Sequence, residues 1–207
     1  ATFLQHHDVP VHVADLEVEK DSVENLISKH KPLLVCVGGT TETRFGSFRI
    51  AKEVKGINKN ITVVYGGPHA SCAIKDTLIN VPSIDFIVYG EGEETVLSIY
   101  KKFGSKNGLK KIHGLAYCNK GSVCINPSRK REREIDKFFL DYSLLPILKY
   151  DLKLDFTSRK AFPVITSRGC PFNCAFCAAG LIWGGRQVRR SVQKVMDELE
   201  FLRNKYD

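Results

Sequence analysis

Ile61-Thr62-Val63-Val64-Tyr65-Gly66-Gly67-Pro68-His69-Ala70-Ser71 is an apolar run that stops at a glycine pair. Such a run, without alternating polar residues, suits a strand covered on both faces of a parallel sheet. The arrangement repeats on either side. Leu33 to Val37 runs into Gly38-Gly39-Thr40-Thr41, and Ile84-Asp85-Phe86-Ile87-Val88-Tyr89 opens into Gly90-Glu91-Gly92-Glu93-Glu94. Strands that each end in glycine place those glycines on one carboxyl edge, where open α/β sheets bind ligands. A single pair would read as a tight turn. Three on one edge point to a flat or bulky ligand.

The intervening segments carry helical periods. Phe45, Phe48, Ala51 and Val54 recur at three-residue steps, and Ile74, Leu78 and Ile79 mark a shorter stretch. Val96, Ile99, Tyr100 and Phe103 form the stripe of one buried helix face. Asp21 or Ser22 can cap a helix with Val23, Leu26 and Ile27 on one side. Ala1 to Asp8 reads as the tail of a helix, and Val9, Val11 and Val13 alternate like an edge strand started by Pro10. Leu115–Cys118 and Val123–Asn126 flank Asn119-Lys120-Gly121, a hairpin whose glycine supplies positive φ. Alternating strands and helices imply right-handed βαβ units and a parallel sheet. In a flavodoxin-like order a central strand would precede Ala1, so the chain is expected to be an incomplete folding unit.

The 207 residues suit one or two domains, and 43% apolar residues are enough for a core. No run reaches a membrane span's length, and no signal-peptide pattern opens the chain, so a cytoplasmic location is expected. The net charge of +8 sits mostly around Arg129-Lys130-Arg131, Arg133, Arg186, Arg189 and Arg190. A nucleic-acid footprint is one reading of that patch. A solvated linker plus charges near an anionic cofactor is the preferred one, because Glu132 and Glu134 dilute the first run.

Downstream, Ile165-Thr166-Ser167-Arg168-Gly169-Cys170-Pro171-Phe172-Asn173-Cys174-Ala175-Phe176-Cys177 sets three cysteines in C-x3-C-x2-C spacing. Thiolates in one compact loop can hold three corners of an iron–sulfur cubane. A structural zinc would need a fourth ligand, borrowed from His113, Cys118 or Cys124. Disulfides fit poorly, since the seven cysteines are an odd number and nothing marks a secreted chain. Phe162 to Thr166 reads as a strand before this loop, and Ser191 caps a helix carrying Val192, Val195, Met196, Leu199 and Leu202. Leu181 to Gly185 is expected to fold over the loop, with Trp183 either covering it or simply packing.

Cys170, Cys174 and Cys177, with Phe176 before the third, resemble the signature of radical S-adenosylmethionine (SAM) enzymes. That resemblance implies a [4Fe–4S] cluster on the three cysteines with one iron open to SAM. It also implies reductive cleavage of SAM to a 5′-deoxyadenosyl radical, and a backbone at Phe176 that faces the adenine. The stretches Gly66–Ser71 and Asp85–Glu94 are similar to the cobalamin-binding domain found ahead of the barrel in many such enzymes. The fold implied is a flavodoxin-like (Rossmann-like) α/β sheet domain followed by the first βα unit of a (β/α) barrel. Residues 1–128 would be the cobalamin domain, 129–160 a connector, and 161–207 the start of the radical SAM domain.

By the same resemblance, Gly38, Gly39, Thr40, Thr41, Gly66, Gly67, Gly90, Glu91 and Gly92 would contact cobalamin. The nucleotide tail would pass beside Gly66 and Gly67. The Ser-x-Leu usual after the preceding strand is replaced by Val37-Gly38-Gly39, so Thr40 or Thr41 would supply its hydrogen bond. His69 follows the wrong strand to be the cobalt ligand and is expected to stabilise its loop. The implied activity is methyl transfer to an unactivated carbon of a small-molecule substrate, fed by an external donor such as flavodoxin or ferredoxin. No nucleic-acid partner is expected. A radical cyclase or rearrangement enzyme, a methylthiotransferase and a non-catalytic cobalamin or redox sensor are the alternatives. A methylthiotransferase would carry a second cysteine triad, but Cys36 and Cys72 lack a third partner, and Cys36 reads as a buried free cysteine.

Overall fold

The computed structural model describes residues 1–103, 108–150 and 161–206. The elements run α1 (Thr2–Gln5), α2 (Val23–His30), β1 (Leu34–Gly38), α3 (Arg44–Ile57), β2 (Thr62–Gly66), α4 (Pro68–Cys72), α5 (Ile74–Asn80) and β3 (Phe86–Val88). They continue with α6 (Glu93–Lys101), β4 (Leu115–Asn119), β5 (Ser122–Ile125), β6 (Ser167–Arg168), α7 (Ala179–Trp183), β7 (Val188–Arg189) and α8 (Val192–Tyr206). Five strands make one sheet in the order β1-β2-β3-β4-β5, with β1 to β3 parallel and β4 and β5 antiparallel. The parallel register sets Gly38 opposite Gly66, so the first two glycine ends are level.

Side-chain alternation sends the strands' apolar residues to two cores. On one face Val63, Tyr65 and Ile87 pack with Ala51 and Val54 of α3 and Leu78 of α5. On the other, Val64, Val88, Leu115 and Tyr117 pack with Ile99 of α6 and Ile112. Ser22 caps α2 by accepting the Asn25 amide at 3.1 Å, as its sequence position requires. Lys120 (φ 48°) and Gly121 (φ 79°) make the two-residue turn between β4 and β5.

Several expectations are corrected. Residues 9–15 form no strand, although Val9 is buried. Of the three valines only Val9 is buried, and an alternating pattern cannot make a strand without a partner for its backbone. The strand expected over Phe162–Thr166 is also absent. Ser167–Arg168 pairs instead with Val188–Arg189 as a short antiparallel ribbon, while Phe162 and Val164 pack against Tyr142, Leu202 and Tyr206. The α6 stripe turns out narrower than its period, for Tyr100 and Phe103 are exposed and Thr95, Leu97 and Ile99 are buried. Phe45 and Ile79 are likewise exposed.

Part of the connector is ordered on both sides of the chain. Asp141 donates its amide to Thr2 Oγ1 at 2.9 Å, and Tyr142 donates to Glu198 Oε1 of α8 at 2.6 Å. The rest of the connector, 151–160, lies outside the described residues. Among the described residues no helix is long and apolar enough to cross a membrane.

Candidate functional site

The glycine-bearing loops after β1, β2 and β3 are laced to one another. Gly39 donates its amide to the Gly66 carbonyl at 3.3 Å, and the His69 amide donates to the Gly39 carbonyl at 3.3 Å. Ser71 Oγ donates to the Gly67 carbonyl at 3.1 Å and accepts the Gly90 amide at 3.1 Å. The loop-stabilising bond expected of His69 is present, to Thr41 Oγ1 at 3.2 Å. The edge is thus held by backbone bonds together with the side chains of Ser71, Thr41 and His69.

Above this edge lies a cavity of about 670 Å³. Its floor is Cys36, Val37, Gly38, Val64, Gly66, Gly67 and Val88, and its side is Gly90, Glu91, Gly92, Glu93 and Val96. Its roof comes from the segment that enters the cysteine motif (Ile165, Ser167, Arg168 and Gly169) together with Trp183. Among the cobalamin contacts expected from the sequence, Gly38, Gly66, Gly67, Gly90, Glu91 and Gly92 line this space. Gly39, Thr40 and Thr41 do not. The Thr40 amide is bonded to Thr43 Oγ1, and Thr41 to His69, so both residues brace the loop. Cys36, expected to be buried, is exposed on the cavity floor.

Two arginines hold the roof in place, and sequence reasoning did not assign either a role there. Arg168 Nη2 donates to Glu93 Oε1 at 2.6 Å and its Nη1 lies 3.5 Å from Glu91 Oε1. Its guanidinium also sits 4.6 Å from the centre of the Phe138 ring. Arg131 donates to the Trp183 carbonyl at 2.8 Å, to the Arg168 carbonyl at 2.7 Å and to the Arg186 carbonyl. Arg129, next in the basic run, is spent on Thr95 and Ser98. Lys137 pairs with Glu132 at 2.5 Å, and that contact with two amide donors holds the Glu132 carboxyl below the usual range. Two arginines of the basic run, Arg129 and Arg131, are therefore taken up by internal hydrogen bonds, where the sequence suggested a solvated linker. No local pattern marks these contacts, because Arg168 and Glu93 are 75 residues apart.

The cysteine motif forms a loop without regular structure. Cys170 is half-buried, Cys174 and Cys177 are exposed, and Phe176 is 93% exposed. The Cys177 amide donates to the Cys174 carbonyl at 3.1 Å, a turn that carries the last two cysteines. Among the described residues no three of His, Cys, Asp or Glu converge as a metal site.

Residues 1–99 match the family model of the B12 binding domain. An uncharacterized methyltransferase of Pyrococcus horikoshii is 37% identical over 185 residues, which is 89% of this chain and 39% of that protein. Residues 1–99 thus carry a B12 binding domain. An anaerobic magnesium-protoporphyrin IX monomethyl ester cyclase of Rubrivivax gelatinosus is 29% identical over 195 residues, covering 92% of this chain and 35% of that one. The chain thus spans about two fifths or less of these curated relatives. The fold matches the cobalamin-dependent SAM radical enzyme OxsB with aqua-cobalamin bound, at TM-score 0.77 and 20% identity over 98% of this chain and 28% of that one. It also matches the methyltransferase TsrM of Kitasatospora setae with cobalamin and a [4Fe-4S] cluster, at TM-score 0.69 and 19% identity over 99% and 42%.

The lining of the cavity fits the B12 group that the matched domain model names. A β-carbon at Gly38 or Gly90 would meet nothing within 4 Å, and one at Gly66 only the Val88 carbonyl oxygen at 3.8 Å. Side chains there would project into the cavity rather than into protein. Gly67 differs: its φ is +97°, and a β-carbon would come within 2.9 Å of the Gly39 carbonyl oxygen. That glycine keeps two loops in contact, so backbone approach explains it better than a slot for the ligand. The three cysteines suit iron by donor chemistry alone.

Proposed function

We propose that the chain is part of a cobalamin-dependent radical SAM enzyme that transfers a methyl group to an unactivated carbon of a small molecule. The observation that carries this reading is the cavity whose floor is the glycine edge and whose roof is the entry to the cysteine motif. Bound cobalamin, SAM and an iron–sulfur cluster would supply the methyl carrier, the methyl and radical source, and the electron for SAM cleavage. The protein's own share is placement and exclusion of water. Gly38, Gly66 and Gly90 leave room for the corrin and its tail, and the lacing through Gly39, Ser71 and His69 keeps that edge rigid. Cys170, Cys174 and Cys177 would ligate the cluster, and the backbone at Phe176 would border the SAM adenine. Arg131 closes the side at Trp183. An external donor such as flavodoxin or ferredoxin and a cytoplasmic location belong to the same reading.

The test is the intact protein incubated with hydroxocobalamin, desalted, and inspected for corrin absorbance. Retained absorbance is expected, together with about four irons per chain after anaerobic reconstitution. Tight zinc without iron-dependent absorbance, or no retained corrin, overturns the proposal. Radical ring closure is a second reading, favoured by the likeness to the Rubrivivax cyclase. SAM labelled in its methyl group separates the two, because only methyl transfer moves the label into product.

A further inference from the structure

We propose that Arg168 is a positioning residue that transmits occupancy of the B12 cavity to the cysteine loop; this rests on the B12 reading above. Arg168 stands two residues before Cys170, and its side chain reaches away from the cysteines to the opposite wall. There it meets Glu91, on the loop after β3, and Glu93, the first residue of α6, both of which line the cavity. The three side chains are 18%, 10% and 25% exposed, so water screens these contacts only partly.

The latch is incompletely closed. Arg168 Nη2 makes one short charge-assisted bond, to Glu93 at 2.6 Å. Its Nη1 stops 3.5 Å from Glu91 Oε1, and that buried oxygen has no hydrogen-bond donor. A small shift of either segment would complete a second bond. The Gly90–Gly92 loop is where a corrin pressing on the cavity wall would act, since Gly90 holds φ +71° and a β-carbon on it would meet nothing within 4 Å. A buried carboxylate oxygen without a hydrogen-bond donor makes the completed latch the lower state once the loop is moved towards Arg168.

There is little slack between the latch and the cysteines. Gly169 has φ +86°, and a β-carbon there would overlap the Arg131 guanidinium and the Arg186 carbonyl. Arg131 in turn grips the Arg168 and Trp183 carbonyls. Movement of Arg168 therefore passes to Cys170 instead of being absorbed by its neighbours. Simple charge neutralisation of Glu91 and Glu93 would not need this rigid attachment.

The experiment uses intact, cluster-free protein held without oxygen, saturating cyanocobalamin, and iodoacetamide. Mass spectrometry reads the alkylation rates of Cys170, Cys174 and Cys177. Saturation keeps changes in corrin affinity out of the result. Bound corrin is expected to slow alkylation about fivefold or more in the unsubstituted protein, the lower range of typical site-to-site coupling. Arg168→Ala and Glu93→Gln should each abolish most of that protection, and the Arg168→Glu/Glu93→Arg double variant should restore part of it. The double variant and Glu93→Gln keep the test open if Arg168→Ala fails to fold. Equal protection in the unsubstituted protein and the corrin-loaded variants means that the corrin merely shields the cysteines, and overturns the latch alone. Failure of the unsubstituted protein to retain corrin overturns the B12 reading and the latch together.

Discussion

Gly66 and Gly67 are adjacent, yet a β-carbon at each would meet different surroundings. At Gly66 the space belongs to the cavity, and at Gly67 it belongs to the Gly39 backbone. Gly66→Val should therefore reduce corrin retention strongly while shifting the melting temperature little. Gly67→Val should lower stability by about 1–3 kcal/mol or more, because a β-branched residue is strained at that φ and must push Gly39 away. Thermal melts with and without hydroxocobalamin check both, and the reverse order of effects would move the ligand slot to Gly67. Phe176 permits a similar separation. Its ring is 93% exposed, so it contributes no packing, and Phe176→Ala should leave the melting temperature within a degree or so. If Phe176 borders the SAM adenine as proposed, the same variant should bind SAM more weakly, and unchanged affinity would remove the residue from that site.

The elements that could be read from sequence are those whose side chains face sheet and helix at once. The runs ending at Gly38, Gly66 and Gly90 are continuous and apolar because both their faces are packed, and they became β1, β2 and the region of β3. Phe162–Thr166 looked similar, but its Phe162 and Val164 are drawn to the Tyr142–Tyr206 cluster, which is an effect of distant residues. The glycine edge was legible for the same local reason, whereas Arg131 and Arg168 depend on contacts with residues far along the chain. At α8 the local and distant signals combine. Ser191 caps the helix through the Lys194 amide at 3.3 Å, and Asp136 accepts the Ser191 amide at 2.9 Å. Hydrogen bonds from Ser191 lower the Asp136 carboxyl below its ordinary value. A depressed carboxyl contributes stability above its unfolded value, about 3.9, and loses it as pH falls through the lower folded value. Acid should thus loosen this contact below about pH 4, and Asp136→Asn should flatten that part of the stability profile. Within the same helix, Glu198 faces Arg190 and Tyr142, with the ion-paired side chains only 6% and 8% exposed. Glu198→Ala should cost about 3–5 kcal/mol by stranding a buried guanidinium, against about 1 kcal/mol for Tyr142→Phe. Chemical denaturation measures both, and equal losses would show that the ion pair is not the main support of α8.

Across the whole molecule, the cavity joins parts of the chain that are more than one hundred residues apart in sequence, and Trp183 sits where they meet. The chain holds a single tryptophan, so this ring reports on the roof while the glycines define the floor. Arg131 holds Trp183 in that roof through its carbonyl, and lies 5.7 Å from the centre of its ring. A corrin seated on Gly38 and Gly66 would lie beside the indole and absorb at its emission wavelengths. Cobalamin should therefore quench the emission attributable to Trp183, obtained by subtracting the emission of the Trp183→Phe variant. Gly66→Val should remove the quenching together with corrin retention. Arg131→Ala should leave corrin on the glycine edge but reduce the quenching, because the roof would no longer be held to the connector. If corrin is retained while Trp183 emission is unchanged, floor and roof do not share one ligand.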